Sequence, residues 1–443
     1  MTSKEEVPEE ASLPHLPPGP EKPYDINTTD ESFPIVADYL AEFGDFVLVK
    51  PVTRNNNTIL INDPDAVKAI LVKNHENYIK GPGFERVKML LGNGIIVSDG
   101  AFWRRQRRMI QPAFSRKCID GLAKKMQKAN QDLLSIWQEK ADKGEIIDVS
   151  SDTSDLSLEI ILRCLFSDDM DKLIAQEGEN PFQILTYDLA RDIQFVMKFR
   201  ALKTLVQQLI DERRESEKRY DDFLEAFMEG VDKETGEGMT DKEIIDEVMT
   251  MIIAGHETGA TTLNWAWYLL SQNSAEEKKL HEEVDNHVAG DIPTFDEVGN
   301  IPFSRQVIEE ALRLYPPVWL YSRTAVEDDH IGGYDIPAGT NIFFTPYYLH
   351  RHPDYWDDPE SFKPDRFVPG EVKKRHKFAF IPFSAGPRRC IGDYFSIVEM
   401  QIHLGTMAQK FKLEYVPGEK GVELDPQVNL RSKNSIMMKL IKR

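Results

Sequence analysis

Phe383-Ser-Ala-Gly-Pro-Arg-Arg-Cys-Ile-Gly392 sets one cysteine, Cys390, in a loop of glycine, proline and arginine ahead of an apolar, helix-forming stretch, 394–410. A sulfur at a helix N-terminus meets the positive end of the helix dipole and is easier to hold as an anion. Gly386 lets the loop backbone approach a flat macrocycle, and Gly392 lets the following helix pack against it. Arg388 can pair with a carboxylate such as a porphyrin propionate. Phe383 would keep water from the sulfur, which tunes a metal centre. Together these features suit a thiolate seated under a haem iron.

The bulk numbers frame that loop. The 443 residues are 41% hydrophobic and 29% charged, a composition that supports a large core. The spread of motifs from Trp103 to Cys390 favours one catalytic unit, 24–443, behind a disordered acidic and proline-rich tail, 1–23. A net charge of -20 argues against nucleic acid, whose phosphates need a basic surface. Three cysteines are too few for a disulfide framework. Cys118, in a basic stretch, and Cys164, on an apolar helix, read as plain thiols in a reducing cytosol. No apolar run reaches the roughly 18–20 residues that span a bilayer. The start of the chain does not read as a signal peptide, so the expectation is a soluble, cytoplasmic protein with no membrane anchor.

Periodicity gives an α+β class, mostly helical, with a small β-rich region. Residues 46–52 and 58–61 alternate as a hairpin, and 64–72 suits a short helix. The glycine-rich stretch 79–99 reads as a long loop with one helical turn. The helical period dominates from 102 to 272 and culminates in the longest helix, 240–272, whose centre is apolar on most faces and therefore buried. Helices at 275–288 and 302–314 follow, then short strands and turns, and a last strand pair near 421–441.

Within the long helix stands Ala254-Gly-His-Glu-Thr-Gly259. A glycine there costs about 1 kcal/mol against alanine, and Thr258 can bond its hydroxyl back to a carbonyl one turn earlier and bend the helix. Such a widening would leave room for dioxygen. His256 reads as structural rather than as a ligand. Glu310 and Arg313, three apart on a helix, can pair, and Pro364-Asp-Arg-Phe367 follows them. Trp103 and Arg107 are one turn apart and can reach one carboxylate together.

These motifs resemble the cytochrome P450 family. The cysteine loop is similar to its F-x-x-G-x-R-x-C-x-G at every fixed position, and 254–258 to its A/G-G-x-D/E-T. Glu310-Ala-Leu-Arg313 resembles its E-x-x-R, and Trp103 to Arg107 its W-x-x-x-R. The resemblance implies haem b on Cys390, with Trp103, Arg107, Arg323 and Arg388 toward the propionates. It implies that Glu257 and Thr258 are the acid–alcohol pair that delivers protons for O–O cleavage, and that Glu310, Arg313 and Arg366 form a buried charge cluster. Gly259 departs from the Thr or Ser found there in many members, which leaves the relay geometry open. Pocket-lining positions by resemblance are Phe84, Val87, Ile252, Ala254, Val318, Trp319 and Val428, mainly apolar and suited to a hydrophobic substrate.

The implied activity is monooxygenation of an organic substrate by O2. Nothing in the chain resembles a flavin or dinucleotide site, so electrons would come from a separate acidic ferredoxin or flavodoxin with its NAD(P)H reductase. A basic cluster (104–108, 373–376, Arg388 and Arg389) would steer that partner. A peroxide-driven hydroxylase of the same fold and a non-catalytic haem-binding protein are the alternatives. The pair Glu257-Thr258 argues against both.

Overall fold

The computed structural model describes residues 14–187 and 193–443, apart from the side chains of 187 and 193–196. Its axis is the helix Asp241–Gln272, about 48 Å long at 1.5 Å per residue. The sequence Thr-Asp-Lys-Glu starts it with a capping box: the Thr240 hydroxyl accepts from the Glu243 N–H, and the Glu243 carboxylate accepts from the Thr240 N–H. Along this central helix lies Val149–Phe166, with Asp393–Lys410, the helix that follows Cys390, and Pro302–Leu314 packed around it. Their apolar faces form one large core.

The β-rich region flanks this bundle. Strands Phe46–Val49, Thr58–Ile61, Asn341–Phe344, Tyr321–Ala325 and Tyr78–Lys80 form one sheet in that order, with Thr58–Ile61 parallel to Asn341–Phe344 and the other pairs antiparallel. A second sheet joins Ile146–Asp148, Met437–Lys442 and Phe411–Tyr415.

Several sequence expectations need correction. The stretch 79–99 is not one long loop: Tyr78–Lys80 is a strand and Phe84–Leu91 a two-turn helix. That strand pairs with Tyr321–Ala325, a partner far along the chain that local pattern does not reveal. The ending is not a single strand pair, since Leu424–Pro426 and Leu430–Ser432 make a separate hairpin. The helix Ser32–Phe43 had no counterpart in the sequence reading. Residues 14–23 are not a loose tail: the Leu48 N–H donates to the Pro18 carbonyl at 2.8 Å, and His15 and Asp335 exchange two bonds of 2.7 and 2.9 Å. Residues 1–13 lie outside the described residues.

The helix Ile193–Glu215 ends on a buried knot. Arg213, on the helix Ile193–Glu215, donates to Asp169 at 2.9 Å and to both Asp222 oxygens at 2.8 Å, with Tyr220 beneath its guanidinium. Lys203 of the same helix lies 3.4 Å from Asp246 of the central helix.

A buried carboxyl crosses the core beside Gly259. The Ser157 hydroxyl donates to Glu399 at 2.9 Å, and a Cβ at 259 would sit 3.3 Å from that hydroxyl. Gly259 therefore serves the packing of Ser157 and Glu399. Burial raises the Glu399 carboxyl from 4.5 to about 8, against the lowering by Ser157. The folded state thus binds the extra proton, and stability falls as pH rises between these two values. Glu399→Gln is expected to unfold at higher denaturant than the parent at pH 8, by an order of a few kcal/mol, and equally at pH 4. Unfolding midpoints at the two pH values check this.

Candidate active site

The cysteine loop is built by its own backbone. The Cys390 N–H donates to the Phe383 carbonyl at 2.9 Å, and Arg389 N–H to Gly386 O at 3.1 Å. Gly386 has φ +69°, and a Cβ there would lie 1.8 Å from the Leu71 carbonyl oxygen. The glycine is required by this contact with Leu71, whereas the sequence reading gave it to a macrocycle. Gly386→Ala is expected to cost several kcal/mol through clash and backbone strain together, read as a lower unfolding midpoint with reduced haem content. At Gly392, with φ -92°, a Cβ would meet nothing closer than Phe114 at 3.9 Å, so the protein's own packing makes no demand for glycine.

Cys390 is open at the surface on one side and crowded by protein on the other. Burial on the crowded side raises its thiol pKa, opposed by the Gly392 N–H and by Arg107 and Arg389. The helix end alone therefore does not make the thiolate; Cys390 would be held as the anion once it serves as a metal ligand.

Around the loop lies a cradle of cations. Trp103 is buried, and the Arg388 guanidinium stands 4.3 Å over its ring. Arg388 is ion-paired with Asp99 and donates to the Ser98 carbonyl at 3.1 Å. Arg323, 3% exposed, donates to the Ser322 carbonyl at 2.7 Å; burial, with Arg388 nearby, lowers its pKa to about 10. Lys80, which the sequence reading missed, joins them: burial first, then Arg323 and Arg388, push its ammonium well below the usual range. Its signal was present in Lys80-Gly-Pro, but only the pairing of Tyr78–Lys80 with the Arg323 strand brings it here. Three cations thus share the single carboxylate of Asp99. Such a set is short of negative charge, and two propionates would balance it. Arg107 departs from the expectation: it donates to the Arg389 carbonyl at 2.9 Å and to Gln111 at 3.1 Å, bracing the cysteine loop rather than joining Trp103 at one carboxylate.

On the central helix the Thr258 hydroxyl donates to the Ala254 carbonyl at 2.8 Å, as its sequence predicts. The helix is nonetheless continuous. A Cβ on Gly255 would lie 3.1 Å from Ile161, so this glycine admits the neighbouring helix and does not itself open room for dioxygen. Glu257 accepts a 2.6 Å bond from the Asn429 side-chain amide. His256 faces the core, bonded to Ser154 at 2.9 Å; burial lowers its pKa to about 4 and keeps it neutral.

The charge cluster is present and larger than expected. Glu310 and Arg313, both fully buried, make two bonds of 2.7 Å. Arg313 also donates to the carbonyls of His350, Pro359 and Ser361 at 3.1, 2.7 and 3.1 Å. Arg366 Nε is 3.4 Å from Glu310 but misaligned for a hydrogen bond, so its link is one of charge. Trp356 lies between Arg313 and Arg375, and His350 Nε2 accepts from the Ile381 N–H at 2.9 Å, tying the cluster to the segment before the cysteine loop.

Of the pocket positions, Phe84 and Val87 are half-buried on the helix Phe84–Leu91, and Ala254 shares the open helix face with Glu257 and Thr258. Val318 and Val428 are exposed. Ile252 and Trp319 are fully buried in protein cores and do not line a cavity. Apolar character looks alike in both settings, so sequence alone did not separate them.

Comparison with known proteins agrees with this geometry. The family model Cytochrome P450 matches residues 24–179 and 175–439. The chain is 35% identical over 384 residues to the cyclooctatin synthase of Streptomyces melanosporofaciens, covering 83% of each chain. It is 30% identical to the pentalenene oxygenase of Streptomyces avermitilis, over 80% of this chain and 81% of that one. A solved structure, the cytochrome P450DA heme domain, superimposes with a TM-score of 0.83 at 25% identity, over 97% of this chain and 98% of that one. The chain belongs to the cytochrome P450 family. It is a haem-thiolate monooxygenase with haem b as cofactor, and it works with an organic substrate, dioxygen and an electron-donating partner. No helix among the described residues is long and apolar enough to cross a membrane.

Proposed function

We propose that the enzyme hydroxylates a cyclic terpenoid, with electrons from a separate ferredoxin or flavodoxin: RH + O2 + NAD(P)H + H+ give ROH + H2O + NAD(P)+. The observation that carries this reading is the open face of the central helix, where Ala254, Glu257 and Thr258 are partly exposed together and against which the helix Phe84–Leu91 packs. Two relatives named for terpenoid oxidation support the substrate class. Held through Cys390, the haem supplies an electron-rich iron for dioxygen reduction. Lys80, Arg323, Arg388 and Trp103 would hold its propionates, Arg107 braces the loop, and Glu257 and Thr258 move protons inward. A cytoplasmic location fits this electron supply.

The donor surface is narrower than the sequence suggests. Arg105 and Arg108 are engaged by Glu243 and Asp232, and Arg375 is stacked on Trp356. Arg104 and Arg389, near the cysteine loop, are more exposed, about half each, although they too are paired, with Glu76 and Asp393, so an acidic partner would compete with those carboxylates. Reduction by ferredoxin is expected to slow as salt rises, because screening shortens the reach of these charges. A flat salt profile would count against the docking reading.

The substrate class is tested by following the Soret band while cyclic terpene hydrocarbons, pentalenene among them, and long-chain fatty acids are added. The proposal expects the terpenes to shift the band and to yield hydroxylated product. A response to fatty acids alone would overturn it.

A further inference from the structure

The hairpin Leu424–Pro426 and Leu430–Ser432 reaches the central helix through its turn, and the turn is fastened on both sides of Asn429. Ahead of it, the Trp319 indole N–H donates to the Gln427 carbonyl at 2.9 Å. Behind it, the Trp265 indole N–H donates to the Leu430 carbonyl at 3.1 Å, and the Leu430 N–H to Pro317 O at 2.8 Å. Trp265 belongs to the same helix as Glu257, about 12 Å further along at 1.5 Å per residue. Between these anchors the Asn429 amide N–H donates to a Glu257 carboxylate oxygen at 2.6 Å.

We infer that Asn429 is a positioning residue for Glu257, holding the carboxylate in the orientation from which it serves Thr258. The inference rests on Glu257 acting in proton delivery. A glutamate side chain has three rotatable bonds, and each fixed partner narrows the rotamers its carboxylate can adopt. A charge-assisted bond from a donor held on both flanks selects one of them. The asparagine lies far from the acid in sequence, in the turn of a hairpin, and no motif marks it.

Proton delivery decides what becomes of dioxygen, and this can be read without any organic substrate. Peroxide release follows NADPH + H+ + O2 → NADP+ + H2O2, one NADPH per O2. Full reduction follows 2 NADPH + 2 H+ + O2 → 2 NADP+ + 2 H2O, two NADPH per O2. The experiment uses the haem-loaded enzyme with a plant-type [2Fe–2S] ferredoxin and its NADPH reductase. It compares the parent, Asn429→Ala, Asn429→Asp, Glu257→Gln and the double variant Asn429→Ala/Glu257→Gln.

Asn429→Ala is expected to shift the ratio of peroxide to water about tenfold toward peroxide, the weight of one charge-assisted bond. It should also enlarge the solvent deuterium isotope effect while leaving the Soret spectrum and haem content unchanged. Asn429→Asp, which sets two carboxylates together, should shift it further. In the Glu257→Gln background Asn429→Ala should add nothing. Separately, Glu257→Ala should speed amide exchange across 427–430 several-fold, because the turn loses a partner. If Glu257→Gln raises peroxide while Asn429→Ala matches the parent, the inference fails and the relay reading stands. If Glu257→Gln itself matches the parent, the relay reading fails and the inference with it.

Discussion

Arg313→Ala is expected to leave little haem-loaded protein. Arg313 makes five hydrogen bonds, two to Glu310 and one each to the carbonyls of His350, Pro359 and Ser361, and Glu310 and His350 are fully buried. Its removal leaves the Glu310 carboxylate, at zero exposure, with only the Lys363 N–H and the misaligned Arg366 for partners among those described. Breaking such a buried pair costs about 3–5 kcal/mol, against about 5–15 kcal/mol for a whole domain. The damage reaches the site because His350 links the cluster to Ile381, just before the cysteine loop. Arg313→Lys should fare nearly as badly, since one ammonium cannot serve acceptors spread around a planar fork. Glu310→Gln should be milder, because it keeps the shape and leaves Arg313 its three carbonyl acceptors, although the buried guanidinium loses its counter-charge. The measurements are haem per polypeptide and the urea midpoint. Parental values for Arg313→Ala would show that the cluster does not hold the cysteine segment.

Cys390→Ala should act oppositely, sparing the fold and removing the chemistry. The loop is kept by backbone bonds, Cys390 N–H to Phe383 O and Arg389 N–H to Gly386 O, which alanine preserves. Cys390 is exposed, so exchanging its thiol for a methyl group is not expected to lower stability. Haem affinity and NAD(P)H-dependent hydroxylation should each fall by more than the roughly 10–100-fold typical of losing an outer-shell partner, since here the ligand itself is gone. Circular dichroism checks the fold and product analysis the activity. An active Cys390→Ala would remove the basis of the mechanism.

What could be read in the sequence divides along a physical line. The helix 302–314 was legible to the residue because Pro302 starts it and the Glu310 and Arg313 face marks it. The central helix was legible because a capping sequence precedes a long apolar run. Lys80 and Trp356 were not, nor was the bond from Asn429 to Glu257, because the partners Arg323, Arg313 and Glu257 lie on elements remote in the chain. The structure supplies a reason for Gly255, which faces Ile161, and replaces the one given for Gly386, which faces Leu71. A missing Cβ shows in the sequence, but which neighbour would have struck it does not. For the same reason Arg107 was sent to a carboxylate and is found on the cysteine loop.

The most direct test is the absorption spectrum of the ferrous enzyme under carbon monoxide, recorded for the parent and for Cys390→His. An anionic sulfur on the iron predicts a strongly red-displaced Soret band in the parent and an ordinary, haemoglobin-like position in the variant. A folded parent protein with full haem content and the ordinary position would contradict ligation by Cys390.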